Sequence, residues 1–150
     1  MSAPTDFDWS VRTVIYRTFT DRGSAPAVAE IAATLGSTEH RVRASLQSLF
    51  AAHEIAPLRS GDGVWMANPF SAVPTDFVVE TPRVRCYANC AWDALGVPAI
   101  TGTDGWTRTH CAESDEPLEF GVRGRRLEGD AGVIHLVTPL RDAWADIGFT

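Results

Sequence analysis

Between Asp8 and Ala52 the apolar residues fall three and four apart in three separate runs, and a chain patterned this way must begin as helices that bury one another's stripes. Val11, Val14, Ile15 and Phe19 share one face of a first helix over Asp8 to Thr20, which Asp8 or Ser10 can cap. Asp21-Arg22-Gly23-Ser24 is a turn. Pro26 to Leu35 reads as a second helix with Val28, Ile31, Ala32 and Leu35 inward, stopped by Gly36. Ser37-Thr38-Glu39-His40 offers the next N-cap, and Val42, Leu46, Leu49 and Phe50 line a third helix to about Ala52.

Two strand-like runs follow, Ile55 to Leu58 and Val64 to Ala67, around Ser60-Gly61-Asp62-Gly63. Helix, Leu-Gly-Ser-Thr turn, helix and hairpin is the layout of a winged helix-turn-helix, assigned here to residues 1–70. In a DNA reader the third helix would enter the major groove, but its exposed residues, including Glu39, His40, Arg41 and Arg43, are only modestly basic. Net charge is -6, with thirteen arginines and no lysine. Residues 1–70 hold six Arg against seven acids and residues 71–150 seven against twelve, so nucleic-acid binding is not expected and a helical scaffold is. No apolar run reaches the length of a membrane span and the N-terminus has no leader pattern, which predicts a cytoplasmic protein.

Beyond a linker over Pro69 to Pro74, the pattern predicts a second unit, residues 75–150, giving an α+β chain with a small mixed sheet and flanking helices. Thr75 to Glu80 reads as a strand. Trp106 to Cys111 and Leu118 to Val122 read as a hairpin around the acidic turn Glu113 to Pro117. Arg123 to Arg126 reads as a solvated turn, Val133 to Val137 as a buried strand, and Pro139 to Ile147 as a helix with Leu140, Trp144 and Ile147 inward.

Chemistry concentrates in Cys86-Tyr-Ala-Asn-Cys90-Ala-Trp-Asp93-Ala-Leu-Gly96. Read as a helix ending at Gly96 before Pro98, this stretch puts Cys86, Cys90 and Asp93 on one face. A thiol beside a carboxyl suits a soft metal ion and a proton transfer. Arg83 and Arg85 precede the motif and would depress a thiol's pKa if they turned inward; the simpler reading is a solvated flank. Three cysteines cannot all pair within one chain, which fits free thiols in a reducing compartment. Zinc is a weaker reading, because Cys86, Cys90 and the adjacent His110-Cys111 lack the usual two-pair ligand spacing. No phosphate loop occurs, and the four histidines fall in no nucleophile-base motif.

Cys90-Ala-Trp-Asp93-Ala-Leu, then Pro98-Ala-Ile and His110-Cys111-Ala, resembles the organomercurial (alkylmercury) lyase family. The resemblance implies cleavage of a carbon-mercury bond by protonolysis, with no cofactor required and mercury(II) as the bound product. It makes Cys90 the first catalytic cysteine and Asp93 the catalytic aspartate, while Cys111 matches a family cysteine outside the catalytic trio. It also implies a winged-helix-like N-terminal part without DNA function. The family's second catalytic cysteine lies on a strand after the helix matched by Pro139 to Ile147, and the sequence ends at Thr150 before such a residue. The expectation is therefore capture of an organomercurial or soft metal ion at Cys90 and Asp93, with Cys86 as a substitute ligand and turnover in question. Cys111 is expected to pack in the sheet, leaving Cys90 the most reactive thiol. A winged-helix metal-responsive regulator and a non-catalytic soft-metal-binding homologue are the rival readings.

Overall fold

The structure is a computed structural model, described here over residues 3–148. Its first helix, α1 (Asp6–Arg22), starts where Thr5 and Asp8 form a reciprocal capping box, two residues before the expected Asp8. Asp8 then does a second task. Its carboxylate accepts hydrogen bonds from Ser45 Oγ and, at 3.1 Å, from Ser48 Oγ on α3 (Glu39–Ala51), tying the two helices together. Burial opposes its charge, but these bonds and those from Thr5 outweigh it and lower the pKa below the ordinary value. Between them lies α2 (Val28–Thr34), and Val11, Ile15, Phe19, Ile31, Val42 and Leu46 are all fully buried where the three helices meet.

The strands form one antiparallel sheet: β1 (Ala56–Pro57), β2 (Val64–Ala67), β3 (Phe70–Ser71), β4 (Val78–Glu80), β5 (Arg85–Ala88), β6 (Gly105–His110), β7 (Pro117–Arg123) and β8 (Arg126–Gly129), in the spatial order 1-2-3-5-4-6-7-8. The chain is thus α+β, with four helices beside an eight-stranded sheet. The helical part is bonded to the rest through β3, whose Phe70 pairs with Ala88 of β5 and stacks on Phe19 of α1 at 5.0 Å between ring centroids. At the end of α1, Gly23 takes φ 75 against β5, and a Cβ there would lie 2.2 Å from the Arg85 carbonyl oxygen. Only glycine allows that approach.

The helix expected to hold both Cys86 and Cys90 is replaced by a strand and a later helix. Val84, Cys86 and Ala88 are buried while Arg85 is exposed and Tyr87 is half-buried, a period of two. Arg85–Ala88 pairs with β3 on one side and β4 on the other, and these two ladders decide the local conformation. The helix, α4 (Ala91–Thr101), begins after Cys90 and runs through Gly96 and Pro98 to a left-handed cap at Gly102. Gly96 does not stop it, because that glycine serves close approach: a Cβ there would meet Pro69 at 2.9 Å. Pro98 forfeits one hydrogen bond inside the helix, and its ring packs where α4 meets Gly105 of β6.

The predicted hairpin is present as β6 and β7, paired from Gly105↔Val122 to His110↔Pro117. Arg123 to Arg126 is a tight turn into β8, a strand the sequence reading lacked. Val133 to Val137 is not a buried strand: Val133 is 94 % and Val137 63 % exposed, and the segment pairs with nothing in the sheet. An apolar run specifies a strand only where a ladder partner and a cover exist, and β8 is the last strand. In place of the last helix there is a 3-10 helix (Leu140–Ala145). Its Trp144 stacks on His53 at 4.6 Å and lies beside Phe50; the Leu140 side chain falls outside the described residues.

Candidate functional site

Cys90 is the N-cap of α4, in extended conformation between β5 and the helix, and Asp93 occupies the third helical position. Extended backbone at the cap turns the cysteine side chain back over the first turn, the place where serine or threonine usually sits. Cys90 Sγ lies 3.5 Å from Asp93 Oδ2. The sulfur makes no capping hydrogen bond; burial raises the Cys90 thiol, opposed by weaker interactions with the backbone of Asp93 and Trp92. Burial also raises the Asp93 carboxyl, opposed by contacts from Cys90 and from the side chain of Asn89. The pair is half-buried, with both groups biased toward the protonated form. Trp92, 63 % exposed, stands beside them in the first turn.

Three other segments frame this position. Asn89 Nδ2 donates to Asn68 Oδ1 at 2.9 Å, and the Asn89 N–H donates to the Pro69 carbonyl at 3.3 Å. Tyr16 of α1 donates its hydroxyl to the Asn68 carbonyl at 2.8 Å. Burial raises the Tyr16 phenol; the Arg12 guanidinium opposes this, and the carboxylates of Glu54 and Asp93 add to it. Arg12 sits over the Tyr16 ring at 4.3 Å and pairs with Glu54 at 3.0 Å. None of Tyr16, Asn68 or Asn89 emerges from sequence patterning, because their link to the motif is made by the β2–β3 and β5–α4 connections.

The structure keeps Cys90 and Asp93 together and separates Cys86 from them as a shared helical face. Cys86 lies in β5 with its sulfur turned into the core, 4.0 Å from the Val79 carbonyl oxygen, and burial pushes its thiol up to about 11. Cys111 is not packed in the sheet either. It opens the turn between β6 and β7, where the hydroxyl and N–H of Ser114 and the N–H of Glu113 lower its thiol pKa. Arg83 and Arg85 are solvated, paired with Asp21 at 3.3 Å and Glu80 at 3.7 Å. Among the described residues no three Cys, His, Asp or Glu side chains converge as a metal-holding group. Two surface clefts, of about 200 Å³ beside Thr81 and Thr101 and about 300 Å³ beside Trp106 and Arg123, include neither Cys90 nor Asp93.

Fold and site together define an α+β protein with a half-buried thiol-carboxyl pair at a helix start. The alkylmercury lyase family (MerB) matches residues 70–150, a span that contains the pair, and the chain belongs to that family. Among solved structures, the mercury-bound form of MerB2 superposes with a TM-score of 0.66 at 21% identity, covering 85% of this chain. The match covers 60% of that protein, so this chain spans less than two thirds of its length. No curated protein matches the sequence. No helix of the described residues is long and apolar enough to cross a membrane.

Proposed function

We propose that this chain captures organomercury compounds at Cys90 and that Asp93 supplies the proton for slow cleavage of the carbon-mercury bond. The observation that carries this is the 3.5 Å approach of Cys90 Sγ to Asp93 Oδ2 within the family-matched segment. In the capture step the Cys90 thiol loses its proton and displaces the counter-ligand X of R–Hg–X, forming S–Hg–R. In the second step the C–Hg bond breaks with its electron pair on carbon, and the Asp93 proton completes R–H. Mercury stays divalent, held by the Cys90 sulfur with the Asp93 carboxylate beside it. Burial suits the role: it raises the Asp93 carboxyl above its ordinary pKa, the direction a proton donor needs.

A single thiolate activates the C–Hg bond less than two would. Cys86 faces the core and Cys111 lies in the β6–β7 turn, so we read capture as the strong step and cleavage as the slow one. Purified protein is expected to bind about one equivalent of phenylmercury. Benzene evolved from bound phenylmercury in excess free thiol is expected at a slow rate that Asp93→Asn abolishes. Rapid multiple turnover surviving Asp93→Asn would refute this assignment.

Residues 1–70 we read as a winged-helix-like scaffold rather than a DNA reader. Arg41 is stacked over Phe7 at 3.9 Å, and Arg43 is held by Glu39 and Asp62, so the third helix's guanidiniums are engaged within the chain. A duplex mobility shift that is sensitive to salt and lost in Arg41→Ala with Arg43→Ala would restore the regulator reading.

A further inference from the structure

The sheet ends on one side at β1, two residues long, and on the other at β8. All four residues of β8, Arg126-Leu127-Glu128-Gly129, are exposed. The hairpin decides which of their main-chain groups are already used. Gly124 and Arg125 take φ 53 and 65, the signature of a two-residue turn closed by a hydrogen-bonded pair, here Arg123 and Arg126. Bonded and open pairs then alternate, so Arg126 and Glu128 spend their N–H and C=O groups on β7 while those of Leu127 face outward. The Asp130 N–H, two residues beyond Glu128, keeps the same phase and donates to the Glu119 carbonyl at 2.7 Å.

The side chains add a second pattern. Leu127 stands opposite Val122, on the face where Thr107 is buried, yet it is 69 % exposed. Arg126 and Glu128 share the other face, and among the described residues neither makes an ion pair. An edge guarded by charges of one sign repels a copy of itself. Here the signs are opposite and flank a leucine, so the strand is complementary to itself turned end for end.

We propose that two copies of this chain associate through β8, antiparallel and in register about Leu127, joining two eight-stranded sheets into one. The two-fold axis passes between the two Leu127 residues, whose N–H and C=O groups exchange both hydrogen bonds. Arg126 of each copy then faces Glu128 of the other across an open pair, where opposed side chains approach most closely. The two leucines meet on the opposite face. Four residues a side bury well under the roughly 1,000 Å² of a stable interface, so the dimer is weak and reversible, half-formed between about 100 μM and 1 mM.

Sedimentation equilibrium of the full chain from about 10 μM to about 1 mM reads this association, with excess reductant so that Cys111 does not cross-link copies. The parent chain should pass from monomer to dimer across that range. Arg126→Glu and Glu128→Arg each set like charges opposite one another twice in the dimer and should each weaken it by about tenfold. Mixed in equal amounts, the two variants should associate at least as well as the parent, because an acidic edge then meets a basic one. The double variant, with the two signs exchanged, should return to the parent's affinity. Both positions are exposed, and a thermal melt of each variant confirms that the fold is kept. A parent chain that stays monomeric throughout, or a mixture that does, overturns the proposal. So does a dimer that both reversals leave unchanged, which would put the contact elsewhere, as on the exposed Val133 and Val137.

Discussion

Cys90 and Cys111 show how differently one fold can treat the same side chain. Cys90 is half-buried at a helix start beside a carboxyl, and burial raises its thiol pKa. Cys111 lies in a turn where Ser114 and Glu113 lower its pKa. The thiol that ionises more readily is therefore not the one in the candidate site. Thiolate content governs attack on a small electrophile, whereas capture and proton transfer need a neighbouring acid held at the right distance.

The largest expected effect tests that distinction directly. Cys90→Ser should weaken phenylmercury binding by roughly 100-fold, since a soft ion loses its only sulfur at the pair, while Cys111→Ser should change it little; titration calorimetry decides. Comparable losses in the two variants would erase the contrast. Alkylation should rank the thiols in the other order. Iodoacetamide mapped by mass spectrometry is expected to label Cys111 about tenfold faster than Cys90 near neutral pH, with Cys86 unlabelled, reversing what the sequence alone suggested. The lowered pKa also means that the Cys111 rate should level off at a lower pH than the Cys90 rate.

Cys86 extends the comparison to a thiol with no site at all. Its pKa rises from 9.0 to about 11 in the fold. Its contribution to stability is thus fully present below pH 9 and lost as pH climbs toward 11, up to about 2 kcal/mol. Urea melts at pH 8 and pH 10.5 should show this loss, and Cys86→Ala, less stable at pH 8, should lack that part of it. Backbone substitutions give smaller effects. Gly96→Ala would press a methyl on Pro69 beside the Cys90 site and should cost about 1–2 kcal/mol. Asp115→Gly in the Cys111 turn, where Asp115 has φ 58, should change stability by no more than about 0.5 kcal/mol, and a thermal melt of each checks both.

Helical periodicity made the N-terminal elements legible. Val11, Ile15, Val42 and Leu46 were recognisable from spacing and are buried where spacing put them. The Cys90–Asp93 pair was legible too, since three residues' separation brings them together in a cap as it would in a helix. Cys86 was not, because i and i+4 on a helix and alternation on a strand are both satisfied by a short stretch, and only the ladders to β3 and β4 decide between them. Val133 to Val137 misled for the reverse reason: its apolar content promised burial that no neighbouring strand provides. Asn89 and Tyr16 were invisible, since their partner Asn68 is 21 and 52 residues away along the chain.

Strand order also sets a sequence of events during synthesis. β3 borders β5 and not β4, so when the first 71 residues have left the ribosome the backbone edge of Phe70 and Ser71 still lacks its neighbour. That neighbour is Arg85–Ala88, and Asn89 and Cys90 are the next residues to emerge. The strand that completes the early part of the protein is thus the one that delivers the thiol to its place. Pairing of β5 with β3 therefore both joins the helical part to the sheet and sets Cys90, which follows β5 directly, at the start of α4.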